Sequence, residues 1–244
     1  MKEIYGIFLV IASPGRHYNM LKLILMKFMN SNPNFRTYFI YGKVNRKSII
    51  KSKYDLYFNN IQENFIPGIF KKSIAAIKYI NLRYNYKYII RTNLSTFWRI
   101  DKLHSLLKTL PKTKFSGGYL YVSNNDGLHI TGTGIIISKD ICLLLSYFLK
   151  KNIVNINKPD DVLFTKILNK ITKVKNCLKR NQDFTNKNII IKFKKHKNKI
   201  KIQTNINDNY ICYRLKTNSN RLLDYIKMTK LMVYFYRQLF NKNN

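Results

Sequence analysis

Short β-branched apolar runs alternate along the chain with longer stretches in which apolar residues recur at helical spacing. Ile4 to Ala12 is a nearly continuous apolar run that ends in Ser13-Pro14-Gly15. It reads as a buried first strand closed by a turn: an acid, Glu3, precedes it and no A-x-A pattern follows, so a signal peptide is the poorer reading. Tyr18 to Met29 has helical spacing, and Phe35 to Tyr41 is a short β-rich run closed by Gly42. A compact stretch, Tyr54 to Phe58, precedes a helix expected from about Ile69 to Arg83 and a strand over Tyr86 to Ile90.

That strand ends in Arg91-Thr92-Asn93-Leu94-Ser95, with a helix expected from about Lys102 to Leu110. Two more strands follow, Phe115 to Tyr119 and Leu128 to Ser138, the second entered through a Gly132-Thr133-Gly134 turn. Helices are expected from Lys139 to about Lys150 and, after Pro159-Asp160-Asp161, to about Ile171. The remainder offers a hairpin (Ile189 to Phe193, Ile200 to Ile202), a short run from Tyr210 to Arg214, and a final helix from about Asn220 to Phe240. The alternation predicts an α/β fold, Rossmann-like, with a mixed, mostly parallel central sheet flanked by helices.

Composition narrows the class. At 244 residues and 45% hydrophobic the chain suits one folded domain and excludes a disordered or fibrous protein. No uncharged apolar run approaches the roughly 18 residues of a bilayer span. Cys142, Cys177 and Cys212 are widely spaced and form neither a disulfide framework nor a zinc pattern, which points to a reducing compartment. The net charge of +34 invites a nucleic-acid reading, yet Lys, Ile, Asn, Tyr and Phe together fill 131 of 244 positions, the signature of an AT-rich genome. Only eleven carboxylates are present, so each is informative, and Asp160-Asp161 is the one adjacent pair.

Four histidines show no metal-like spacing, and nucleophile-elbow, Walker and G-x-G-x-x-G patterns are absent. What is left is carboxylates, polar strand ends and basic residues, the equipment of a transferase that binds a diphosphate. Arg91 to Ser95 leaves its strand at the carboxyl edge, where open α/β sheets bind ligands. Each position also has a plainer reading. Asn93 and Ser95 suit a helix N-cap, Asp160 and Asp161 a helix dipole, Gly132 to Gly134 a bulge, Trp98 the core, and Ser13 with Arg16 a solvated loop.

In order and spacing, Tyr88 to Ser95, Thr131 to Ser138 and Asp160-Asp161-Val162 resemble the K-T-D-D-D-like, G-t-G-Y-v-l-S and E-D-V segments of the galactosyltransferase/Fringe group, glycosyltransferase family 31, on a GT-A fold. Tyr54-Asp55 and Glu63 through Lys71 match its upstream stretch, so the resemblance runs from about residue 4 to 170. It implies a nucleotide-sugar-binding catalytic domain over residues 1–175 and a basic C-terminal extension, 176–244, packed on it. The implied reaction is inverting transfer of a hexose from a nucleotide-diphosphate sugar, UDP-sugar favoured, to a hydroxyl of a glycan or glycoconjugate. Asp161 would be the base. Ser13, Arg16, Asp55, Glu63, Lys71, Arg91, Asn93, Ser95 and Arg214 would bind the donor, and Trp98, Gly132, Thr133, Gly134 and Asp160 would shape the sugar and acceptor pocket.

The family's acidic D-x-D holds Mn²⁺ or Mg²⁺, but Asn93-Leu94-Ser95 offers neutral oxygens, so the implied cofactor and the residues disagree and no metal ligand is assigned. Arg91, Arg16 and nearby lysines could neutralise the diphosphate instead. Two readings compete: a GT-A-like binding module without activity, and a nucleic-acid-binding protein using the seven lysines between Lys187 and Lys201. Nucleic acid is the weaker, because the charge is dispersed and no motif accompanies it. The final helix, with Leu222, Ile226, Leu231, Val233, Tyr234 and Leu239, either packs on the domain or touches an anionic membrane. Lack of an anchor suggests a cytoplasmic enzyme of a microbe or virus.

Overall fold

The computed structural model describes residues 3–45, 47, 49–151, 156–178, 180–183, 191–196, 199–204, 209–216 and 221–237. Strand β1 (Ile4–Ile11), helix α1 (Arg16–Phe28) and strands β2 (Phe35–Lys43) and β3 (Asp55–Gln62) open the chain. Helix α2 (Gly68–Arg83), strands β4 (Tyr86–Asn93) and β5 (Thr96–Trp98) and helix α3 (Ile100–Thr109) follow. Next come β6 (Ser116–Ser123), β7 (Gly127–Ser138), α4 (Lys139–Lys151), α5 (Asp160–Ile171) and β8 (Lys175–Asn176). The chain then forms β9 (Arg180–Asp183), β10 (Ile191–His196), β11 (Lys199–Thr204), β12 (Cys212–Leu215) and α6 (Arg221–Phe235).

Seven strands form a central sheet in the order β3-β2-β1-β4-β7-β6-β8. Neighbours are parallel except at β7, which runs antiparallel to β4 and β6. The fold is mixed α/β with a mostly parallel, Rossmann-like central sheet. Helices cover both faces, which is why β1 is apolar throughout rather than alternating. Phe8 and Val10 enter one core with Leu25, Phe28 and Trp98. Ile7 and Leu9 enter the other with Ile77, Ile80, Ile141 and Phe164. On α1 the buried residues Leu21, Ile24, Leu25 and Phe28 follow the i, i+3, i+4, i+7 spacing of a helix with one apolar face.

The C-terminal segment completes this core. β12 pairs antiparallel with β5, placing Arg214 opposite Thr96, and parallel with β9. α6 packs on α1, with Met228, Leu231 and Met232 buried. Beyond it the Tyr236 ring stacks on Phe28, its centroid 4.9 Å away, and its hydroxyl donates to the Trp98 carbonyl at 3.0 Å. Leu222 and Ile226 of α6 are exposed, while Leu239 lies outside the described residues. β10 and β11 form an antiparallel hairpin of their own; Lys187 to Ile190 and Lys197 to Asn198 of the lysine-rich segment lie outside the described residues. Among the described residues no helix is long and apolar enough to cross a membrane.

Several local expectations are corrected. Gly42 lies inside β2 rather than closing it. Gly132 to Gly134 lies within β7 and is not a turn. Asn93 and Ser95 cap no helix: the turn they flank leads into β5, and α3 begins only at Ile100. A three-residue strand is too short to carry a period that sequence could reveal.

Candidate functional site

Ile11 pairs with Asn93 in the parallel β1–β4 ladder, so the two strands end at the same edge of the sheet. A cleft of about 580 Å³ opens there, between the strand ends, the start of α5 and the C-terminal β12–α6 segment. Its position is the carboxyl edge of the sheet, where connections diverge and leave room for a ligand.

Alternation along β4 decides which side chains reach its floor. Arg91 turns toward α5 and Thr92 toward the opposite core, as successive strand residues must. The Arg91 guanidinium is buried, bonds the Asp160 carboxylate, and donates from Nη1 to the Gly132 carbonyl at 2.9 Å. Burial pushes the Asp160 carboxyl above its ordinary value, and the Arg91 charge pulls it back. Both residues line the cleft, yet their charges are committed to each other. Arg91 therefore sits in the cleft floor already paired with an acid, and Asp160 braces that floor.

Asp161 is different. It is half-buried in the first turn of α5 and lines the cleft. Its Oδ2 accepts from the Gly132 amide at 3.1 Å and its Oδ1 from the Val162 amide at 3.0 Å. Thr165 fixes the same turn, donating from Oγ1 to the Asp161 carbonyl at 2.8 Å while accepting from the Ile130 amide at 2.9 Å. The carboxylate is thus oriented by β7 and by its own helix. A Cβ at Gly132 would stand 2.8 Å from Arg91 Nη1 and 3.0 Å from Asn93 Nδ2, so the glycine is what permits β7 to approach this closely.

Three cations, Arg214, Lys216 and Arg221, also line the cleft. Arg214 donates from Nη1 to the Ser95 hydroxyl and, at 3.5 Å, to Thr96 Oγ1. Arg221 pairs with Asp224 at 2.9 Å. Partial burial and the charges of Arg214 and Arg221 hold the Lys216 ammonium below the usual lysine range, with Asp161 opposing them weakly. Phe65 and Tyr121, 61% and 49% exposed, also line the cleft, with Ser13, Tyr18, Asn93, Ser95, Thr131 and Thr133. Aromatic faces beside charges suit a ring-bearing ligand.

Other expected site residues lie elsewhere. Trp98 is wholly buried, donating from Nε1 to Thr92 Oγ1 at 3.0 Å, and a Cβ at Gly134 would meet its ring at 2.6 Å. Both belong to the core and not to a sugar pocket. Asp55 forms a buried pair with Lys22 at 2.6 Å. Glu63 bonds Lys72, accepts from the Gly42 amide at 2.6 Å, and touches Ser13 Oγ at 3.4 Å, outside the cleft. Lys71 is exposed; its neighbour Lys72 is the buried one, donating to the Ala12 carbonyl at 2.8 Å, with its pKa lowered by burial. Arg16 is the exposed first residue of α1 and does not line the cleft. Phe65, Tyr121 and Arg221 carried no sequence signal, because nothing periodic marks a loop residue or a strand end as facing a cavity.

The divalent cation implied by the resemblance does not fit these donors. Asn93 offers a carboxamide, Ser95 is bonded by Arg214, and Asp160 is held by Arg91, which leaves Asp161 alone as a cleft carboxylate. Among the described residues no group of three or more His, Cys, Asp or Glu could hold a metal ion. Mn²⁺ and Mg²⁺ favour several hard, anionic oxygens.

No protein-family model and no curated protein matches the sequence. Among solved structures, a 4-diphosphocytidyl-2C-methyl-D-erythritol synthase of Anaerococcus prevotii is similar at 12% identity and a TM-score of 0.47, over 71% of this chain and 86% of that one. The apo form of the glycosyltransferase GlyE of Streptococcus pneumoniae is similar at 9% identity and a TM-score of 0.42, over 71% of this chain and 45% of that one. A second GlyE structure gives 12% and 0.40, over 72% and 45%, so the chain spans under half the length of GlyE. At such identities and scores the functional reading rests on the site itself.

Proposed function

We propose that the protein is a glycosyltransferase that moves a hexose, with inversion, from a nucleotide-diphosphate sugar to a hydroxyl of a glycan or glycoconjugate. The observation that carries this reading is one oriented carboxylate, Asp161, in a cleft also lined by Arg214, Lys216 and Arg221. A base and cations in one cleft match the charges that develop in such a displacement.

The acceptor oxygen attacks the anomeric carbon, and the new C–O bond forms as the bond from that carbon to the diphosphate oxygen breaks. The acceptor proton passes to Asp161, and the bonding electrons leave with the diphosphate toward the cations. Fixing Asp161 through Gly132 and Val162 keeps its carboxylate in place without reorganisation during the step. A UDP-hexose is the donor favoured by the sequence resemblance.

The test is nucleotide release from UDP- and GDP-sugars, with and without a glycan acceptor. Acceptor-dependent release of the nucleoside diphosphate supports the reading. No release from any donor, with no binding of UDP or GDP, overturns it.

A further inference from the structure

Asn93-Leu94-Ser95, which the sequence resemblance sets beside an acidic D-x-D, anchors an arginine in this chain. Ser95 is nearly buried, and its hydroxyl accepts a hydrogen bond from Arg214, the residue that β12 places opposite Thr96. Arg214, Lys216 and Arg221 all line the cleft. We infer that these three side chains bind and neutralise the diphosphate of the donor in place of a divalent cation. The inference rests on the transferase reading and adds to it the means by which the leaving group is held.

Charge supports this independently of the sequence motif. Partial burial first, and then the neighbouring charges of Arg214 and Arg221, hold the Lys216 ammonium below the usual lysine range, and an anion placed among the three cations opposes that shift. Arg221 is shared with Asp224, and Asp161 lines the same cleft. A diphosphate brings negative charge among these side chains, and guanidinium groups suit its paired oxygens. Ser95 acts as a positioning residue: it fixes Arg214 and touches no reacting atom.

The experiment is calorimetric titration of the whole protein with UDP and with inorganic pyrophosphate, in EDTA and in Mn²⁺ or Mg²⁺, for wild type, Lys216→Met, Arg214→Met, Arg214→Lys and Ser95→Ala. Lys216 is exposed, so its replacement leaves folding untouched. The inference expects UDP and pyrophosphate to bind equally well in EDTA and in metal, and affinity to fall about tenfold to a hundredfold in Lys216→Met and Arg214→Met. Arg214→Lys should recover part of the loss, and Ser95→Ala should weaken binding less than Arg214→Met. Binding that appears only with Mn²⁺ or Mg²⁺, or that ignores both substitutions, overturns the inference while the transferase reading stands. No binding of UDP or pyrophosphate under any condition removes both.

Discussion

Asp160 and Asp161 are adjacent in the chain, yet one carboxylate is locked to the buried Arg91 guanidinium and the other faces the cleft from the Gly132 amide. The difference follows from where each sits on the first turn of α5. Asp160 meets β4 and loses its solvent; Asp161 meets the strand edge and keeps a path to a ligand. The two neighbouring acids differ by environment and not by residue type, and only Asp161 is placed as a base would have to be.

The Arg91–Asp160 pair is predicted to be a folding element. Arg91→Met leaves a buried carboxylate without its partner, which costs about 3–5 kcal/mol, or a fall in Tm of roughly 10 °C. Replacing both, Arg91→Met with Asp160→Leu, should restore much of that loss. Thermal melts of the two single variants and the double variant check this, and additive losses would contradict it.

Two glycines of β7 should separate stability from function. A Cβ at Gly134 meets the Trp98 ring at 2.6 and 2.7 Å, so Gly134→Ala overpacks the core and should cost about 1–3 kcal/mol. At Gly132 the Cβ meets the ends of the Arg91 and Asn93 side chains and lies 3.5 Å from Asp161 Oδ2. Gly132→Ala should therefore lower turnover more than it lowers the melting temperature, and melts run beside activity assays decide it.

Binding of an anion among the cations should depend on alkaline pH with a definite sign. Lys216 lies below 10.5 in the free protein, and a bound diphosphate raises it. Between the two values binding takes up a proton, so affinity falls as pH rises through the free-protein value, by up to about tenfold per unit. Titration with pyrophosphate across that range should show this fall in wild type and lose its Lys216 component in Lys216→Met. The difference between the two proteins isolates Lys216 from the titration of pyrophosphate itself.

Much of the sheet was legible because its strands are buried on both faces. Ile4 to Ala12 and Tyr86 to Ile90 had to be strands, and the polar residues after each marked the ligand edge. Asp161 was singled out by the scarcity of acids, and the structure places it in the cleft. For Trp98 the sequence left core and sugar pocket both open, because β5 is only three residues long and the close approach of Gly134, 36 positions away, is not visible in it; the structure places the ring in the core. Lys71, named from the resemblance, is exposed, while the burial of its neighbour Lys72 against Glu63 had no signal in the sequence. The cationic wall was half legible: Arg214 stood out, but that Ser95 holds it depends on the antiparallel pairing of β12 with β5, which joins segments about 120 residues apart.

The most direct test of the account is Asp161→Asn, assayed for sugar transfer and for UDP binding on the same preparation. Removing a general base costs about 10²–10⁴-fold in turnover. Removing a negative charge from a cleft that binds an anion should leave UDP binding intact or tighten it. Lost turnover with UDP binding kept or strengthened is the predicted result. Turnover within a few-fold of wild type, or loss of UDP binding by a folded Asp161→Asn protein, would contradict the central claim.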